Sequence, residues 1–186
     1  ERAYIIGDLV GNGKGVARVI PFGHHYDHGG LPAAGHLAEV FHKGGTPDQP
    51  YFRGNIDYDQ DGTPDLTNLP FYCVDLINTI YSNVDYCALM ISSYNANVGD
   101  LAGIGNEQNL DLANYVINNF AIGDDLGNGV AVSGGDIQRT LWALVFGGSL
   151  QPVGAYSSGP SNNANVNAML AAAFMSGEDY EPPCDG

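Results

Sequence analysis

Two rhythms of apolar residues divide the chain. In its first part they come as short runs broken by Gly, Pro and Asp, the habit of strands. AYIIGDLV (3–10) and GVARVI (15–20) flank GNGKG and predict a β-hairpin with a Gly-rich turn. The stretch 21–36, rich in Gly, Pro and His, reads as a loop. HLAEVF (36–41), YFRGNI (51–56) and LPFYCVDL (69–76) read as further strands, the last running into a short helix or turn. From about residue 77 the character changes. In EQNLDLANYVINNF (107–120), Leu110, Ala113, Val116, Ile117 and Phe120 recur at helical spacing. DIQRTLWALVF (136–146) predicts a second helix, with Ser133 or Asp136 as cap and Gly147 as stop. NANVNAMLAAAFM (163–175) predicts a third, capped near Ser161 and ended by Gly177, before the tail EDYEPPCDG returns to extended structure. The expectation is one domain, 1–186, whose β-rich part (1–76 and 178–186) brackets a helical subdomain at about 77–176.

Composition narrows the class. At 186 residues and 44% hydrophobic, the chain can bury a core without staples. No apolar run reaches the roughly 18 residues of a membrane span, so no membrane insertion is expected. Twenty-one acids against 6 bases give a net charge of -15, which argues against nucleic acid and anionic lipid as partners. Lys14 and Lys43 are the only lysines. The opening ERAYIIGDLV has no leader pattern and reads as the start of a trimmed mature domain; with abundant Asn, Gly and Tyr, it points to an extracellular setting.

Two polar residues stand out against the apolar pattern. On the second helix Ile137, Leu141, Leu144 and Val145 form the inward stripe, and Gln138 lies at its edge one turn before the lone tryptophan, Trp142. A buried primary amide costs about 1–3 kcal/mol if unpaired, so Gln138 needs a partner or must cease to be an amide. Cys73, between Tyr72 and Val74, could be a small core residue, half of a disulfide with Cys87 or Cys184, or a nucleophile. Three cysteines leave one over in any pairing.

Taken together, Tyr72-Cys73-Val74 and, 65 residues on, Ile137-Gln138-x-x-Leu141-Trp142 resemble the thioester domains at the tips of bacterial surface adhesins and pili. LANYVINNF (112–120) is similar to the helix that precedes the Gln motif in that family, and the resemblance spans 69–146. Many members read Thr-Gln-x-Ala; here Ile137 and Thr140 stand at the Thr and Ala positions, and neither supplies a bonding atom. The resemblance implies a cell-surface adhesion domain with an internal Cys73–Gln138 thioester, shielded by Tyr72, Leu141 and Trp142. It would bond covalently, in a single turnover and not as an enzyme, to a primary amine on a surface protein or glycan. No cofactor is required, and attachment to the cell would lie outside this chain. The implied fold is α+β, an antiparallel β-sandwich or barrel-like part with an inserted helical subdomain. With Cys73 committed, Cys87 and Cys184 are left as a candidate disulfide.

Two further patterns suggest metal. In DYDQDGTPD, Asp57, Asp59, Asp61 and Asp65 stand at loop positions 1, 3, 5 and 9 with Gly62 at 6, and Thr63 follows. That matches the start of a calcium loop, although Asn68 holds position 12 where an EF-hand has Glu. The D-x-D-x-D-G-x-x-D spacing of extracellular calcium repeats fits better, and a structural ion and a plain solvated turn stand as equal alternatives. All five histidines, His24, His25, His28, His36 and His42, fall in one Gly-rich stretch that lacks a helix to fix ligand spacing, so a polar loop is the expectation there and a zinc site the alternative. Two other functions remain to be weighed: a non-covalent, calcium-stabilised binding or structural module, and a hydrolase pairing Cys73 with one of these histidines. No cysteine-protease signature surrounds Cys73 to favour the latter.

Overall fold

The computed structural model describes residues 4–7, 16–21, 34–42, 52–57, 61–64, 66–73, 86–90, 109–146 and 162–180. Six strands precede three helices: β1 (Tyr4–Gly7), β2 (Val16–Pro21), β3 (Ala34–His42), β4 (Phe52–Asp57), β5 (Leu66–Cys73), β6 (Tyr86–Met90), then α1 (Leu110–Asn119), α2 (Gly134–Phe146) and α3 (Asn163–Ser176). β1 and β2 pair antiparallel, with Ile5 opposite Ile20. The strands close into a barrel in the order β1-β2-β6-β3-β4-β5. β3 pairs antiparallel with β4 and β6, and β4 with β5, whereas β1–β5 and β2–β6 are parallel. The wall is therefore mixed where an antiparallel one was expected. β6 also lies inside the range that the change of rhythm at 77 assigned to the helical part. Its sequence, YCALM, is too short for periodicity to separate strand from helix.

Register shifts interrupt β3–β4 between Ala38 and Phe41, and β4–β5 between Gly54 and Ile56. Such irregularities bend a strand and help a small sheet to close. Pro70, which has no N–H to give the ladder, adjoins the second of them.

α2 is the centre of the helical part. It packs against α1, α3 and β5. Ile137, Gln138, Thr140, Leu141, Trp142, Ala143, Leu144 and Val145 are all buried, and only Gly135 and Arg139 of its described side are partly open. A helix covered nearly all round must lie between layers. α1 contributes Leu110, Leu112, Ala113 and Val116, and α3 contributes Val166, Met169 and Ala173, at i, i+3 and i+7. The end of α3 is held close to α1. A Cβ on Gly177 would stand 2.7 Å from Ala173 O and 3.0 Å from Tyr115 Cβ, so the approach requires glycine. Just beyond, Tyr180 meets Tyr115 edge to face at 5.3 Å, and Asp179 N donates to Asp111 Oδ2 at 2.8 Å.

Candidate functional site

The N-terminus of α2 is set by a capping box. Ser133 Oγ accepts from Asp136 N (3.1 Å), and Asp136 Oδ2 accepts from Ser133 N (2.9 Å), so both residues expected as caps act together. The same carboxylate reaches α3. Its Oδ2 accepts from Asn165 Nδ2 (3.1 Å) and its Oδ1 from Asn162 N, while Asn162 itself caps α3 through Ala164 N. Arg139 Nη2 adds a bond to Asn163 Oδ1 at 2.9 Å. These contacts define the side of α2 that faces the start of α3.

Gln138 lies on another side. At about 100° per residue it is rotated roughly 160° from Asp136, on the face shared by Leu141, Trp142 and Val145. Gln138 is 0% exposed, among the most completely buried large side chains, and it is not without an interaction partner. With α3 bonded on the Asp136–Arg139 side, the Gln138 face is left for the other neighbours of α2. One of these is β5, which carries buried Phe71 and Tyr72 and ends at Cys73. The residues expected to shield a reactive bond, Tyr72, Leu141 and Trp142, are all buried. Cys73 is described through its backbone, opposite Ile6 of β1.

The barrel narrows the choices left open for Cys73. β5 borders β1 and β4, while Cys87 lies on β6, between β2 and β3. The two strands stand three steps apart in either direction, at about 4.8 Å per step. Following the register from Cys73 through Ile6 and Val19 leads to Met90, whereas Cys87 is opposite Val16. A disulfide needs Cα atoms about 4.4–6.8 Å apart, so a Cys73–Cys87 bridge does not fit this wall. Cys184 lies outside the described residues, and with it the expected Cys87–Cys184 bridge.

The acidic loop is partly described. Asp57 ends β4, is 3% exposed, and its Oδ2 accepts from Gly62 N at 3.0 Å. Gly62 takes φ +89, the left-handed conformation that favours glycine and turns the loop back. Asp61 Oδ1 accepts from Thr63 N at 2.7 Å, and both residues are exposed. Asp59 and Asp65 lie outside the described residues, as do His24, His25 and His28; His36 and His42 are described only as backbone positions of β3. Among the described residues no group of three or more His, Cys, Asp or Glu gathers as a metal site, and no helix is long and apolar enough to cross a membrane.

The Asp136–Asn165 cluster went unrecognised in the sequence as a link between helices. Its local half was legible, because Ser-x-x-Asp before an apolar run is a capping-box pattern. Nothing local announces that Asn165, 29 residues on, completes it. Comparison with protein-family models, with curated proteins and with solved structures finds no match to this chain.

Proposed function

We propose that the chain is an extracellular adhesion domain that stores an internal thioester between Cys73 and Gln138 and spends it once on a partner amine. The observation that carries this reading is a fully buried primary amide on α2, a helix packed against the strand that ends at Cys73. The Cys73 thiolate attacks the Gln138 side-chain carbonyl carbon. The C–N bond breaks, and the amide nitrogen takes up the thiol proton and leaves as ammonia. A primary amine on the partner later attacks the same carbon. The C–S bond breaks, an amide joins Gln138 to the partner, and the proton lost by the amine restores the Cys73 thiol.

Burial is what such a bond requires, since water competes with the amine for the carbonyl. Tyr72, Leu141 and Trp142 form the apolar cover in this reading. The scarcity of lysine limits reaction between copies. The partner is an amine-bearing protein or glycan, and neither nucleic acid nor membrane is needed. Intact-mass analysis tests the reading. The native chain should be lighter than its sequence by one ammonia, C73A should have full mass, and a small primary amine should add its whole mass to the native chain. Full mass in the native chain rejects the thioester.

One observation favours a second reading, a calcium-stabilised module without the covalent bond. Asp57 is a buried carboxylate held by Gly62 N at the position where a calcium loop begins. A chelator that lowers the melting temperature of a chain with full mass would select this reading.

A further inference from the structure

The carboxylate of Asp136 takes no part in the acyl chemistry above, yet it is 1% exposed and accepts from three N–H groups. Ser133 N closes the first turn of α2. Asn162 N and Asn165 Nδ2 come from the start of α3. Asn165, itself fully buried, also donates to Val130 O (3.2 Å) and Ala131 O (3.3 Å) and accepts from Asn128 Nδ2 at 2.7 Å. One carboxylate thus fastens the first turns of two helices to the loop that joins α1 to α2.

Gln138 follows two residues later, about 3 Å along the axis and on the far side of the same helix. Whatever fixes the rotation of this turn fixes where the Gln138 carbonyl stands. A side-chain atom sits roughly 5–6 Å from the helix axis, so a 10–20° rotation of α2 carries it about 1–2 Å. A misplacement of about 1 Å can slow a positioned reaction by ~100-fold. We propose that Asp136 is a positioning residue for acyl transfer at Gln138, locking the rotation of α2 so that the amide carbonyl meets its nucleophile. This inference rests on the thioester reading.

The test uses the full chain assembled by chemical synthesis and ligation, so that residue 138 starts as an intact amide at full mass, and folded from denaturant with reductant. Loss of ammonia is followed by intact mass at a temperature where circular dichroism shows every variant folded. Under that condition the rate reports geometry and not stability. D136N keeps the shape of the side chain but turns an NH2 toward one of the three donors, and it should form the lighter species at least about tenfold more slowly than wild type. D111N leaves one amide oxygen for the two N–H groups, Leu112 N and Asp179 N, that the Asp111 carboxylate accepts on α1, lowers stability away from α2, and should form it at the wild-type rate. N165A removes one of the three donors while leaving the capping box, and it serves if D136N does not fold; it too should be slower. The proposal is overturned if folded D136N or N165A reacts at the wild-type rate, or if D111N is slowed as much as either. A wild-type chain that never loses ammonia removes the thioester reading, and this inference with it.

Discussion

Gln138 and Trp142 sit one turn apart on a buried face of α2. Trp142→Ala should remove about 3–5 kcal/mol of stability, read as a lowered denaturant midpoint. In the proposed chemistry it should also open the reactive bond to water, so that the lighter species gains one water in mass faster than wild type does. Gln138 was legible as a polar residue on a helix edge, because spacing alone gives that. Its complete burial was not, since burial depends on what other elements bring to the face. The same holds for Asp136. The sequence marks it as a helix start, and its bonds to Asn162 and Asn165 come from a helix that begins 27 residues later.

The helices were the most legible elements. α1, α2 and α3 fall within a few residues of the spans read from apolar spacing, and Ser133 begins α2 as expected. Ser133→Ala should cost about 1 kcal/mol by removing the acceptor for Asp136 N, measurable by chemical denaturation. The cap of α3 is Asn162, next to Ser161 where the sequence places it, within the one-residue margin that sequence leaves open. Gly177 was legible as a stop signal, but its reason is contact: a side chain there meets α1 as well as the last turn of α3. Gly177→Ala should therefore lower the melting temperature, at a cost of about 1–3 kcal/mol, even though its backbone does not require glycine. Strand β6 was missed because five apolar-rich residues carry no decisive period.

At the scale of the whole molecule, the sequence announces strands but not their order. The β1–β2 hairpin is local and could be read; the parallel pairings β1–β5 and β2–β6 join residues more than 60 positions apart, and no turn motif encodes them. Those pairings separate Cys73 from Cys87. Peptide mapping without reduction should accordingly find no Cys73–Cys87 disulfide. The acidic loop after β4 belongs to this scale as well, because Asp57 anchors it to the barrel wall. If calcium fills that loop, a chelator should lower the melting temperature without changing the mass of the chain.

The central claim is a covalent bond, and the mass of the untreated native chain tests it most directly. The account predicts a chain lighter than its sequence by one ammonia, with full mass in both C73A and Q138A. A native chain of full mass would contradict it.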